Sequence, residues 1–77
     1  MTEEEIISRL RVESETFRKI EDEHRNLDLL IDELSRKHYL TADEDVNKKS
    51  LQKEKLLKKD RIAEMIRDFK KTSNRVA

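Results

Sequence analysis

Two histidines are the residues of this sequence best suited to bind a metal or to transfer a proton. Glu21 and His24 form the Glu-x-x-His spacing found in di-iron helical bundles. That site also needs an inward glutamate from a facing helix, and the inward residues expected opposite His24 are Lys55, Lys58 and Ile62. On one helix His38 would lie about 21 Å away, too far to share a metal. We therefore expect no metal and no other cofactor.

Structural roles are favoured over catalytic or metal-binding roles for the two histidines. We interpret His24 as a packed imidazole that is hydrogen-bonded to Asp28 or to an acid on a facing helix. We interpret His38 as a residue that caps the end of the first helix, where a cation is favourable. Neither role implies a reaction.

Nucleophilic catalysis is not indicated by the residue types present. The chain has no cysteine, so it has neither a thiol nucleophile nor a cysteine-ligated zinc site. It also has no glycine, which phosphate-cradling loops and the sharp turns that expose a catalytic serine both require. A bare helical hairpin offers no pocket that could raise the pKa of its carboxyl groups. We expect a protein that is not an enzyme.

A cluster of basic residues within the segment 48–61 is the feature that most resembles a binding surface. It could attract nucleic acid or another polyanion, or it could be a solvated face lying opposite an acidic helix. No aromatic side chains alternate with the lysines, and the net charge of the chain is +0, so nucleic acid is the less favoured partner. The possible polyanion stripe contains Lys48, Lys49, Lys53, Lys55, Lys58, Lys59 and Arg61.

The composition and two start signals predict long helices as the elements that carry these residues. Charged residues make up 47% of the chain, and neither glycine nor proline is present. Thr2 is followed by Glu5, and Thr41 by Glu44, and each pair is a capping-box pattern that opens an acidic first turn. The fold class is therefore expected to be all-α.

Connection length and charge predict an antiparallel, coiled-coil-like two-helix hairpin as a single domain, 1–77. Helix 1 is expected at about 3–37, the connection at about 38–42 and helix 2 at about 43–73. A connection this short forces neighbouring helices to lie antiparallel. The halves also carry opposite charge, because residues 1–40 hold 11 acids and 7 bases whereas the remainder holds 7 acids and 11 bases.

Heptad spacing predicts which residues face the partner helix. One unbroken helix is the alternative, but the first register extended forward meets six polar positions in succession. The seam of helix 1 is Ile6, Leu10, Glu13, Phe17, Ile20, His24, Leu27, Ile31, Leu34 and His38. The seam of helix 2 is Leu51, Lys55, Lys58, Ile62, Met65, Phe69 and Val76. The predicted core comprises Phe17, Ile20, Leu27, Ile31, Leu34, Leu51, Ile62, Met65 and Phe69.

The order of residues in both halves is fairly specific. The first half carries Phe17, Ile20, His24, Leu27 and Ile31, and the second carries Leu51-Gln52-Lys53-Glu54-Lys55-Leu56 and then Lys59, Asp60 and Ile62. In this order, the segment of about 17–66 resembles the YdcH-like family, short bacterial proteins that form a domain of unknown function. The resemblance implies a small helical hairpin from bacteria and implies no activity.

Leucines beside the seams suggest a second packing surface. A hairpin of this size has little stability to spare, so we expect it to self-associate into a dimer or larger helical bundle, with another protein as the alternative partner. The predicted interaction surface contains Leu30, Leu56, Leu57 and Ile66. The longest apolar run, 29–31, is too short to enter a membrane, so we expect a cytoplasmic interaction or scaffold module.

Overall fold

The computed structural model describes the backbone of residues 2–74 and the side chains of residues 2–72, and it contains three α-helices. Helix α1 spans Glu3–Glu13, α2 spans Glu15–Ser35 and α3 spans Ala42–Asn74. The described backbone contains no strand, which confirms the prediction of an all-α chain. The prediction of one helix over 3–37 is wrong, because that helix is broken at Ser14. The predicted seam residue Val76 lies outside the described residues.

Ser14 ends one helix and begins the next. Its backbone is extended, with φ −121° and ψ 109°. Its N–H donates to the carbonyl oxygen of Leu10 at 2.8 Å, which completes α1. Its Oγ accepts from the N–H of Phe17 at 3.1 Å, which caps α2. No glutamate stands three residues after Ser14, so the capping-box pattern that marks the other two helix starts is absent here.

The break allows α1 to bury its apolar residues. Phe69 is the last apolar residue of the α3 seam whose side chain is described, and the described side chains that follow it are two lysines and Thr72. A straight helix 1 would extend Ile6 and Leu10 past that point. Instead they fold back over α3, where Ile6 is 2% and Leu10 6% exposed. With the fully buried Phe17 they form a cluster, and the half-buried residues packed against it are Ile7, Ile62, Met65, Ile66 and Phe69.

Two arginines brace the break. The guanidinium of Arg11 donates to the Glu21 carboxylate through Nε at 2.8 Å and through a terminal nitrogen at 3.0 Å. In a continuous helix these residues would lie about 15 Å apart along the axis, so the pair depends on the bend. Arg18 donates to the carbonyl oxygens of Arg11 at 2.5 Å and Val12 at 3.3 Å, which satisfies the end of α1.

Helices α2 and α3 form the antiparallel pair that the short connection predicts. Lys58 Nζ lies 2.6 Å from Glu23 Oε2, and Lys55 Nζ lies 2.5 Å from Asp28 Oδ1. These ion pairs join the middle of α2 to the middle of α3. The seam of α3 is as predicted, since all its described members from Leu51 to Phe69 are half-buried. Near the connection, α2 ends at Ser35, so the exposed His38 lies in the connection and does not cap the helix.

The predicted capping box is complete at Thr41, whereas Thr2 makes the threonine half and its hydroxyl donates to the Glu5 carboxylate. Thr2 Oγ1 accepts from the N–H of Glu5 at 3.2 Å. At the start of α3 the exchange is reciprocal, because Thr41 Oγ1 accepts from the N–H of Glu44 and a Glu44 carboxylate oxygen accepts from the N–H of Thr41, both at 3.1 Å. The Glu44 carboxylate also accepts from Lys37, and this hydrogen bond is the main reason that its pKa is lowered.

Candidate interaction surface

An open groove runs between α2 and α3 on one flank of the hairpin. It has a volume of about 470 Å³. Two leucines from different helices line it, Leu30 at 47% and Leu57 at 59% exposure, and the buried Leu27 lies between the helices. The residues that line this open groove are Glu23, Asn26, Leu27, Leu30, Glu54, Leu57 and Lys58. The groove thus combines exposed apolar surface with a charged border.

The border of the open groove is held by an ion pair between the helices. Lys58 donates to Glu23, and that hydrogen bond is the largest cause of the lowered pKa of the Glu23 carboxyl. A second depression adjoins it toward the connection, where Leu30 meets Leu34 and Leu51. Apolar side chains therefore continue along this flank from Leu57 to Leu51, and Leu30 is shared by both depressions.

The structure brings together two of the four residues of the predicted interaction surface. Leu30 and Leu57 line the same groove. Leu56 is 58% exposed but is not among the residues that line it. Ile66 is half-buried and packs against the cluster formed with α1, so in this structure it is engaged within its own chain.

Helical spacing explains this grouping. Leu30 and Leu57 each precede a seam residue, and so do Glu23, Asn26 and Glu54. Leu56 and Ile66 each follow one. At 100° per residue, the positions before and after a seam residue lie on opposite flanks of the helix. The spacing therefore identifies the polar residues of the groove and separates Leu30 and Leu57 from Leu56 and Ile66.

The basic residues of the predicted polyanion stripe do not form one surface. Lys55 and Lys58 are half-buried and form ion pairs with α2. Lys53 is exposed and lies about 160° around the helix from Lys55. The others are placed as follows: Lys49 pairs with Asp45 and Arg61 with Glu64, both at 3.2 Å, Lys59 is exposed, and Lys48 is half-buried.

His24 is half-buried between the two ion pairs of the hairpin. Its Nε2 is buried and has no hydrogen-bond partner among the described residues, so the predicted hydrogen bond is not made by this nitrogen. Asp28 instead accepts from Lys55, and this hydrogen bond is the main cause of the lowered pKa of Asp28. Over residues 2–72, no three acidic or histidine side chains converge where they could hold a metal ion.

Comparison with known proteins gives a family and nothing beyond it. The family model described as "Protein of unknown function (DUF465)" matches residues 17–66. This match covers the segment on which the sequence resemblance rests and confirms it. No curated protein and no solved structure matches the chain. Among the described helices, none is both long enough and apolar enough to cross a bilayer.

Proposed function

Because this chain belongs to the DUF465 family, whose function is unknown, we propose a function from its own surface. The protein is a non-enzymatic interaction module of the cytoplasm that associates with a second copy of itself through the open groove. This association gives a four-helix bundle, in which α2 and α3 of one copy pack against α2 and α3 of the other. The observation that carries this proposal is the convergence of Leu30 and Leu57, from different helices, on one exposed groove.

The distribution of apolar residues supports an unfinished core in the middle of the hairpin. The residues that the structure buries are Ile6, Leu10, Phe17 and Leu27. The first three belong to the cluster under α1, so Leu27 is the one buried residue of the described hairpin middle. Two helices meet along a single line and cannot enclose the residues beside it. A second hairpin laid on the open groove would cover Leu30 and Leu57.

Charge favours a second copy as the occupant of the groove. Within α2 there are 7 acids and 3 bases, whereas α3 contains 7 acids and 10 bases. Two copies related by a twofold axis along the helices would place α2 of each against α3 of the other. Every neighbouring pair of helices is then antiparallel and opposite in charge. A partner of uniform charge would match only one of the two helices.

Paired leucine variants test the groove against general surface hydrophobicity. We expect Leu30→Gln with Leu57→Gln to weaken association by about 100-fold or more, since a symmetric dimer loses four leucine contacts. The matched control is Leu29→Gln with Leu56→Gln, because both leucines are 58% exposed and neither lines the groove. Molar mass from light scattering during gel filtration, over a concentration series, measures the difference. Equal weakening by both pairs would contradict the proposal.

Binding of a polyanion is the second candidate, and it rests on the exposed Lys53 and Lys59. Its affinity should fall steeply between low and moderate salt, whereas groove packing should change little. Fluorescence anisotropy with a labelled single-stranded oligonucleotide measures this binding. Loss of binding in Lys53→Gln with Lys59→Gln, with the dimer mass unchanged, would support a separate polyanion surface. Absence of binding at low salt would remove this candidate.

A further inference from the structure

Helix α1 is attached to the rest of the molecule through one non-helical residue. Ser14 alone separates Glu13, the last residue of α1, from Glu15, the first residue of α2. Beyond this joint, α1 packs on the part of α3 that carries Ile66 and Phe69. A short arm, a one-residue joint and an apolar docking surface are the parts from which exchange of an element between two chains is built.

The sequence is compatible with a second, straight conformation at the joint. Ile6 and Leu10 lie in the same heptad register as Phe17 and the seam residues that follow it, and no proline or glycine interrupts the register. What holds the bend is local: the Ser14 cap, the Arg18 contacts with the end of α1, and the Arg11–Glu21 pair. The Arg18 contacts are exposed to solvent. The Arg11–Glu21 pair makes two hydrogen bonds to a carboxylate that is 17% exposed, so it is the main side-chain contact that straightening must break.

Straightening would leave two apolar surfaces without a cover in a single chain. Ile6 and Leu10 would move past Phe69, toward the lysines and Thr72 of α3. The cluster on α3 would lose the helix that now packs on it. A second copy presents both missing surfaces at once, because its α1 fits the cluster on α3 and its α3 fits the displaced α1.

We infer that α1 is an exchangeable arm: Ser14 straightens, and α1 of each of two copies docks on the Ile62–Phe69 surface of the other. The contacts made by α1 are the same in the closed chain and in the exchanged pair. The equilibrium between the closed monomer and the exchanged dimer therefore depends on the conformation of Ser14 and on protein concentration. The inference is separate from the open groove, which lies on the α2–α3 flank and does not involve α1.

Two substitutions at neighbouring positions should move the joint in opposite directions. Ser14→Ala removes the cap and introduces a strong helix former, which should favour the straight joint about fivefold. Glu15→Pro should lock the bend, because proline is favoured at the first position of a helix and disfavours a helical residue before it. The backbone of Ser14 is already extended, as proline requires of the residue before it. The N–H of Glu15 donates none of the described cap and turn hydrogen bonds, so proline would remove none of them.

Cross-linking between differently tagged chains detects the exchange. The chain has no cysteine, so single cysteines can be placed without background. Glu3 on α1 and Lys70 on α3 line the same depression. Chains with Glu3→Cys are incubated with chains carrying Lys70→Cys and treated with a short bismaleimide. All chains also carry Leu30→Gln and Leu57→Gln, which removes association through the open groove.

The expected result is a cross-linked product of two chains that rises about fivefold with Ser14→Ala and is lost with Glu15→Pro. Circular dichroism of each variant confirms that it remains helical. A chain carrying both cysteines should form the intrachain product in the Glu15→Pro background, which shows that the closed arm is intact. An interchain product of equal yield in the Ser14→Ala and Glu15→Pro backgrounds would overturn the inference, as would its absence with Ser14→Ala.

Discussion

The end of the molecule under α1 and the middle of the α2–α3 hairpin bury their apolar residues to different extents. At the end, Phe17 is 0% and Ile6 2% exposed. In the middle, Leu30 is 47% and Leu57 59% exposed. Both regions lie between the same two long helices, so the difference comes from the third helix that only the end possesses.

The comparison shows that two helices fix a seam and a third element creates an enclosed core. At the end, α1 folds back over α3 and closes a cluster from three directions. In the middle, the ion pairs Lys55–Asp28 and Lys58–Glu23 join the helices, but Leu30 and Leu57 stay exposed beside them. In the proposed dimer, a second copy covers the apolar residues of the middle, as α1 covers those of the end.

The largest effect is expected from truncating the best-buried side chain. Phe17→Ala should lower the free energy of unfolding by about 3–5 kcal/mol, because it opens a cavity in the cluster under α1. Leu57→Ala, measured at concentrations where the chain is a monomer, should change it by less than about 0.5 kcal/mol. Urea unfolding followed by circular dichroism gives both values. Similar losses of unfolding free energy for the two variants would contradict the difference in burial between the end and the middle.

A smaller effect is expected at the joint between the two regions. Ser14→Ala should cost about 1 kcal/mol through the lost cap. The loss should be local, so hydrogen exchange should speed up for the amides of α1 while that of Leu27 is unchanged. Thr41→Ala removes a cap of the same kind at the start of α3 and serves as the control, since it should leave the exchange of α1 unchanged. A uniform change across all three helices after Ser14→Ala would contradict a separable α1.

The smallest effect concerns the ion pairs of the middle. Hydrogen bonds from Lys58 and Lys55 lower the pKa values of Glu23 and Asp28. Their contribution to stability is therefore complete above the ordinary carboxyl pKa of about 4 and is lost as the pH falls through the lowered values. Melting temperatures between about pH 7 and pH 3 should fall, and the acid-side fall should be shallower in Lys55→Gln with Lys58→Gln. An identical pH profile for the variant would show that these pairs contribute nothing.

Local signals in the sequence predict helix starts and seams, because a cap or a heptad repeat involves residues that are close together in the sequence. The threonine caps at Thr2 and Thr41 and the seam of α3 are of this kind. The break at Ser14 is different, because the heptad of helix 1 continues through it. What favours the break is remote in sequence, because Ile6 and Leu10 gain burial by folding back onto Ile62, Met65, Ile66 and Phe69.

The candidate surface could be predicted residue by residue, and helical spacing also places Leu30 and Leu57 on a different flank from Leu56 and Ile66. Exposed leucines beside a seam are visible in the sequence, and Leu30 and Leu57 are among the predicted surface residues. Their convergence depends on which flank each helix turns toward the other. The packing of Ile66 against the cluster under α1 could not be predicted, because it follows from the unpredicted break.

The molar mass of the unmodified chain in solution tests the central claim most directly. Light scattering across a concentration series, at low and high salt, should give twice the chain mass of 9.3 kDa at high concentration. The dimer should persist at high salt and in the Glu15→Pro variant, which cannot exchange α1. A mass of 9.3 kDa at every concentration and salt level would contradict the proposal that a second copy covers Leu30 and Leu57.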